Sequence, residues 1–342
     1  MPKSSKKQSW LKQAYQSLRT KNKAYLERRP HRSFRRTRRR DYARPIELPG
    51  YIPFTHSVNI TLLKYKKIFL PLIVVYTVLY VLLVGMQSQE TYSTLTDTLQ
   101  QTGGDIFEGN WGTLGKAGVL FLTVASSGAS EPATEAQQIF SVLILLLVWL
   151  STVWLLRNVL AGHKVKLRDG IYNSGAPLFS TLIITLIIAV QLIPVALALI
   201  GYSAAQASGL LDSGVAAMLF WIAAALLAIL SLYWITSSLF AMVIVTLPGM
   251  YPFRAIQTAG DLVIGRRVTI LLRWLWMSLV LLVAWALLLI PTILFDTWLK
   301  SVWPAIDWLP LVPFVAVLLS AITAVWVSAY VYLLYRKVVD YA

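Results

Sequence analysis

Six long runs of apolar residues, separated by polar stretches, dominate the pattern of the chain from position 68 onward. A helix crosses hydrocarbon about 30 Å thick with roughly 20 mostly apolar residues. The runs are close to or above that length, so the pattern predicts six membrane-spanning helices. They cover residues 68–86, 139–156, 178–202, 215–247, 268–294 and 311–334.

The fourth run is long for one membrane crossing. As a helix, its 33 residues would measure about 50 Å, so we expect the helix to tilt or to protrude from the bilayer. A polar cluster near its end predicts that its last third leaves the hydrocarbon before Pro248 and Gly249 end the helix. The cluster consists of Ser231, Tyr233, Thr236, Ser237 and Ser238.

Composition supports this interpretation, because 57% of the residues are apolar, 13% are charged and the mean hydropathy is +0.64. Such a chain has too little polar surface for a water-soluble core of this size. The predicted fold class is therefore an all-α membrane protein, a bundle of six transmembrane helices with amphipathic connecting helices. The absence of cysteine excludes disulfides, thiol nucleophiles and thiolate metal sites.

The net charge of +16 comes mainly from one end of the chain. Residues 1–50 hold 16 of the 31 basic side chains and 3 of the 15 acidic ones. We therefore predict a basic tail, partly helical and then disordered, over 1–50, and a membrane domain over 51–342.

Lysine and arginine near span ends are retained on the cytoplasmic side of a membrane. If both termini are cytoplasmic, 29 of the basic residues fall inside, and Lys116 and Lys300 fall outside. This asymmetry predicts a multi-pass protein of the inner cell membrane with cytoplasmic N- and C-termini. Tryptophans near span ends agree, because they favour the membrane interface. They are Trp274 and Trp276 at the inner end of span 5, and Trp298, Trp303 and Trp308 in the outer loop after it.

The long outer loop, 87–138, contains one short apolar stretch at 117–125. That stretch is too short to span a membrane. It fits a re-entrant or interfacial helix and equally an ordinary loop with one buried face.

The two inner connections resemble each other. Residues 166–171 precede span 3 and residues 252–256 precede span 5, and each of these spans then carries an Ile-Pro pair, at Pro194 and Pro291. We expect a short amphipathic helix in each connection. A duplicated unit of span, short helix and proline-containing span is one explanation, and the frequency of proline in membrane helices is the other.

Polar residues inside the spans are few. Gln191 is the strongly polar residue deep in a span, where an amide forms either an interhelical hydrogen bond or part of a solute site, and we favour the hydrogen bond. Arg273, near the inner end of span 5, is expected to extend its guanidinium to the headgroups. Small residues spaced by four predict buried helix faces. They are Ser320, Ala324 and Ser328 on span 6, and Ala224 and Ala228 on span 4.

The tail contains the densest cluster of charge. Residues 9–27 fit a short basic amphipathic helix, and an arginine cluster follows that repels itself too strongly to fold alone. Its members are Arg28, Arg29, Arg32, Arg35, Arg36, Arg38, Arg39 and Arg40. They suit anionic lipid headgroups and also RNA or ribosomes, with Phe34 available to stack on a base; we favour lipid.

The stretch from Pro248 to Arg267, PGMYPFRAIQTAGDLVIGRR, resembles an element of YciC-type membrane proteins and of the membrane region of some glycerophosphodiester phosphodiesterases. There, a proline and an alanine-rich amphipathic helix lead to a Gly-Arg pair before the next span. The resemblance covers roughly 139–342. It implies a six-helix bundle with amphipathic inner helices, and it carries no phosphodiesterase chemistry, since the metal-binding acidic residues of that enzyme lie in a separate soluble domain.

Catalysis needs converging acids, bases or metal ligands, and the inner loops offer only His163, Asp169 and Asp261. We therefore expect no enzyme activity, no cofactor and no metal. The leading hypothesis is an integral membrane protein that organises or contacts lipid and partner proteins, with its tail on anionic headgroups. The alternatives are a carrier for an apolar or amphipathic solute, lined by spans 3 to 6, and a membrane tether for ribosomes or RNA.

Overall fold

The computed structural model describes residues 17, 20, 48–85, 134–210, 214–303, 306 and 308–340. These residues are predominantly helical and contain no strand. Six of their helices are long and apolar enough to cross a membrane. The prediction of an all-α protein with six spans is confirmed.

Nine helices make up most of the described residues, and the spans are α2, α3, α5, α6, α8 and α9. In chain order the helices are α1 (Tyr51–Lys64), α2 (Lys66–Leu83), α3 (Glu135–Leu160), α4 (Leu167–Ser174), α5 (Leu178–Ala207), α6 (Gly214–Ile244), α7 (Pro252–Val263), α8 (Arg267–Val302) and α9 (Leu311–Asp340).

The chain falls into two compact units. The first comprises Met1–Ile46 and Ile264–Arg266, and the second comprises Glu47–Val263 and Arg267–Ala342. Of the predicted tail helix at 9–27 the structure describes Ser17 and Thr20, which are helical. All nine helices belong to the second unit.

Helix α9 is the centre of the second unit, because it packs against α1, α2, α3, α6 and α8. Its buried residues run along most of its length, from Val312 to Val338. Ala324 and Ser328 are buried as their spacing predicts, and Ser320 is half-buried beside them. Small side chains on this face let neighbouring helices approach closely.

Helices α5 and α6 form a pair that packs closely along its length. Burial in α6 begins at Ser231, so its first half, which contains Ala224 and Ala228, has no buried side chain. Ala224 and Ala228 are themselves half-buried, so the predicted buried face is only partly formed in this half of α6.

The polar cluster of α6 has three of its five members inside the bundle. Ser231, Thr236 and Ser238 are buried by neighbouring helices. Polar side chains are tolerated here because they face protein, so the cluster does not require the helix to leave the hydrocarbon. Helix α6 ends at Ile244, and Gly249, with φ +74°, provides the left-handed conformation that turns the chain toward α7.

Two short helices, α4 and α7, occur in the predicted inner connections, and each packs on the span before it. The order span, short helix, proline-containing span therefore occurs twice, as α3-α4-α5 and α6-α7-α8. The prolines lie at different depths, since Pro194 is near the middle of α5 and Pro291 is in the last third of α8.

Three residues predicted for the outer loop lie inside α8, which continues to Val302. They are Asp296, Trp298 and Lys300. Asp296 is buried and pairs with Lys300 one turn later, with Oδ2 and Nζ 2.6 Å apart. An i,i+4 pair of this kind stabilises the helix locally. The far end of the predicted 87–138 loop likewise becomes helical, because Thr134 caps α3 in a capping box with Gln137.

Candidate functional site at the basic end of the bundle

The short helices and the last turn of α9 define one end of the bundle, which we call the basic end. Spans α2, α5 and α8 begin there, and α3, α6 and α9 end there. The helices α1, α4 and α7 belong to the same end. The eight arginines of the predicted tail cluster, Arg28 to Arg40, lie outside the described residues, so their contact with lipid or RNA stays a prediction.

Nine basic residues of the described part surround this end, and all of them are exposed. We call them the basic belt. They are Lys64, Lys66, Lys67, Lys164, Lys166, Arg168, Arg254, Arg336 and Lys337. Of the described residues at the opposite end, the basic side chain is Lys300, and its ammonium is paired with Asp296. The described structure therefore carries its free positive charge at one end.

Acidic side chains do little to neutralise the belt. Asp169 is half-buried, and its Oδ2 accepts a hydrogen bond from the backbone N–H of Lys166 at 3.0 Å, which caps α4. Asp261 and Asp340 are exposed. No belt residue forms an ion pair within 4 Å with an acidic side chain of the described residues.

Exposed aromatic residues lie between the basic ones. Tyr172 on α4 is 87% exposed and Phe253 on α7 is 76% exposed, and Tyr251 and Phe179 are similarly open. Aromatic side chains of this kind favour the headgroup region, where one part of the ring contacts apolar chains and another contacts water. Sequence reasoning did not single out these four residues, although their position beside lysine and arginine at span ends is the available signal.

Helix α7 is amphipathic in a way that presents this mixture outward. Ala255, Ala259 and Val263, spaced by four, are fully buried, chiefly against α6. The same periodicity leaves Phe253 and Arg254 exposed. The packed face holds the helix in place while the outer face offers an aromatic ring and a guanidinium.

Helix α4 is held more tightly. Ser174 and Ser151 of α3 share a hydrogen bond of 2.9 Å between their hydroxyls. Gly170 lies against Leu155 so closely that a Cβ there would be 2.7 Å from two of its side-chain carbons. This close contact fixes α4, and with it Arg168 and Tyr172, on the end of α3.

Arg157 joins two spans at the same end. Its Nη1 donates to the carbonyl of Thr246 at 3.0 Å, and its Nη2 donates to the hydroxyl of Thr246. These groups follow the last residue of α6, where unpaired carbonyls carry partial negative charge. The guanidinium therefore serves helix packing and does not belong to the exposed belt.

The predicted position of the Arg273 side chain is wrong. The guanidinium was expected to reach the headgroups, yet the residue is only 5% exposed. Helix α1 folds back across α8 and α9 and covers it, so that the guanidinium lies 4.3 Å from the ring centre of Tyr51. Its Nη2 donates to the carbonyl of Pro49. The pattern of α8 alone could not reveal this cover.

Gln191 lies in α5 opposite α6, and its Oε1 accepts a hydrogen bond from Ser238 at 2.7 Å. The contact is an interhelical hydrogen bond of the favoured kind. It brings Gln191 together with one residue of the polar cluster in α6.

Among the described residues, no three or more of His, Asp and Glu lie close enough to hold a metal ion. The chemistry available at the basic end is therefore that of exposed ammonium and guanidinium groups beside aromatic rings. Such groups bind anions that carry an apolar part. Comparison with protein-family models, curated proteins and solved structures finds no match for the chain. The resemblance to YciC-type proteins accordingly stays a prediction.

Proposed function

We propose that this protein is a non-enzymatic integral membrane protein that contacts anionic lipid, and through it partner proteins, at its basic end. The belt and the arginine-rich tail bind headgroups of the cytoplasmic leaflet, and both chain termini are cytoplasmic. The six spans hold these cationic segments at the membrane surface.

The observation that carries this proposal is the exposed basic belt with aromatic residues between its members. Each basic residue near an anionic membrane surface contributes about 1 kcal/mol of attraction. The aromatic rings add apolar contact at the same depth. We assign the basic end to the cytoplasmic side because that side retains lysine and arginine near span ends.

The test measures which lipids surround the full chain. The protein is assembled into nanodiscs from phosphatidylcholine with a minor fraction of phosphatidylglycerol, and the lipids of purified discs are quantified. We expect phosphatidylglycerol to be enriched over empty discs. Replacing the eight arginines from Arg28 to Arg40 by glutamine should lower the enrichment, and replacing Lys164, Lys166, Arg168 and Arg254 as well should lower it further.

The matched control replaces the same eight arginines by lysine, which preserves the charge. This variant should keep the enrichment, and higher salt should reduce it for both proteins because exposed charges are screened. A glutamine variant that enriches phosphatidylglycerol as strongly as the unaltered chain would remove the role of the tail in lipid binding.

A further inference from the structure

Arg273 is a buried cation without a matching anion among the described residues. It lies two turns into α8 from the basic end and is 5% exposed. The guanidinium contacts the ring of Tyr51 at 4.3 Å and that of Phe54 at 5.8 Å from their centres. The backbone carbonyl of Arg273 accepts a hydrogen bond from the hydroxyl of Tyr330 at 3.3 Å, so the backbone of α8 is fixed as well.

Two of its three side-chain nitrogens lack an acceptor at hydrogen-bond geometry among the described residues. Nε and Nη1 are buried and have no hydrogen-bond partner in the described part of the chain, whereas Nη2 donates to Pro49. Arginine keeps its charge at physiological pH. A buried charge with unmade hydrogen bonds is unfavourable, and aromatic faces compensate only part of that cost.

The cover over this cation is thin on one side. Tyr51 lies at the first position of α1 and is itself 38% exposed. Of the two rings over the guanidinium, that of Tyr51 is therefore the one that reaches the surface, since Phe54 is 2% exposed. Phe54, packed edge-on to Tyr330 at 4.9 Å, remains as the inner wall. The rest of α1 stays in place through Trp276, whose Nε1 donates to Thr55 at 3.0 Å.

We infer that Arg273 and the start of α1 form a binding site for a single phosphate group, with Tyr51 as its movable cover. Phosphate oxygens match the donors that lack acceptors, and arginine binds them with charge-assisted hydrogen bonds. The site lies at the basic end, where the phosphate of an anionic phospholipid would lie. This inference rests on the proposed orientation and adds a specific site to the general attraction of tail and belt.

Native mass spectrometry of the full chain from detergent can count the bound phosphate groups. The protein is given phosphatidylglycerol, phosphatidylcholine or inorganic phosphate in separate samples. We expect one strongly retained phosphatidylglycerol per chain, and Arg273→Gln should weaken its binding about tenfold or more. Retention of inorganic phosphate in an Arg273-dependent way would identify the free ion as the ligand of the same site.

Arg267→Gln is the matched control, because Arg267 lies on the same helix, also stacks on a tyrosine and also donates to a carbonyl. Its Cζ is 3.9 Å from the ring centre of Tyr233, and its Nη1 donates to the carbonyl of that residue at 3.0 Å. The control should keep the bound lipid. Equal retention by Arg273→Gln, Arg267→Gln and the unaltered chain would overturn the inference.

Tyr51→Ala provides a test that keeps the arginine and does not depend on the folding of Arg273→Gln. Removing the ring should increase retention of phosphatidylglycerol several-fold, whereas Tyr202→Ala, toward the opposite end of the bundle beside Trp221, should leave it unchanged. Unchanged or lower retention in Tyr51→Ala would contradict the cover. Loss of nanodisc enrichment in the tail variants with a normal lipid count in Arg273→Gln would reject this site and leave the proposed function standing.

Discussion

Gly170 has no side chain, and this allows the inner helix α4 to pack closely on α3. A Cβ at this position would be 2.7 Å from Cγ and Cδ2 of Leu155, and Leu155 is fully buried. The leucine therefore cannot move aside without disturbing the core of α3.

Gly170→Ala should lower the free energy of unfolding by about 1 to 3 kcal/mol, because overpacking outweighs the better helix propensity of alanine. Thermal unfolding in detergent measures the change. Gly175→Ala is the control, since nothing lies within 4 Å of a Cβ there. Equal melting temperatures for the two variants would contradict the close contact.

The hydrogen bond between Ser238 and Gln191 is the polar contact between α5 and α6. Gln191→Leu should cost about 0.5 to 2 kcal/mol of stability, the range for interhelical hydrogen bonds in membranes. Ser203→Ala, whose hydroxyl donates within its own helix to Leu199, should change little. A Gln191→Leu variant as stable as the unaltered chain would show that the hydrogen bond does not stabilise the packing of α5 on α6.

The same variant also tests the alternative of a solute carrier. Full solute uptake by Gln191→Leu in a reconstituted assay would argue against that alternative.

For single residues, the sequence predicts the type of interaction a side chain makes better than it predicts which segments cover that side chain. The polarity and depth of Gln191 predicted an interhelical hydrogen bond. The burial of Arg273 could not be predicted, because it depends on a segment more than 200 positions earlier in the chain. A residue near a span end can reach the headgroups or be covered, and only the path of α1 decides between the two.

Among the helices, α1 was not predicted by the hydrophobic pattern. It precedes the first apolar run, and it packs on the last two spans. Trp276 donates to Thr55 and Trp326 donates to Asn59 at 2.8 Å, so two indoles fix the helix along its length. Phe54 and Val58 are the residues of α1 that are buried in the bundle.

Trp276→Phe should loosen α1 without unfolding the bundle, because it removes one hydrogen bond and keeps most of the apolar contact. Hydrogen–deuterium exchange of the full chain in detergent should become faster in Tyr51–Lys64 and stay unchanged in Lys66–Leu83. Trp298→Phe, on an exposed side chain, is the control. Equal exchange in both variants would mean that the hydrogen bond does not hold α1.

Span positions could be predicted because length and apolarity are local properties, and the six runs match six helices. Span ends are less local. Helix α8 continues to Val302 past its last long apolar run and contains the Asp296–Lys300 pair there. The polar side chains of α6 are buried by neighbouring helices. The burial in α6 is a consequence of packing, which the pattern of one helix does not contain, whereas the i,i+4 spacing of Asp296 and Lys300 is present in the sequence.

For the whole molecule, the basic belt and the predicted tail imply one orientation in the membrane. Because the chain has no cysteine, single cysteines report which side is accessible. In spheroplasts, a membrane-impermeant maleimide should label Trp308→Cys at the opposite end and should not label His163→Cys at the basic end until the membrane is opened. The reverse labelling would overturn the proposed topology.

The central claim is that the basic end and its tail contact anionic lipid in preference to nucleic acid. The most direct measurement purifies the full chain in mild detergent beside a chain without residues 2–48, and quantifies phospholipid, RNA and ribosomal proteins at two salt concentrations. We predict that anionic lipid accompanies the full chain, decreases in the shortened one, and is not joined by RNA or ribosomes. RNA or ribosomal proteins that accompany the full chain and disappear with the tail would contradict this account and favour a membrane tether.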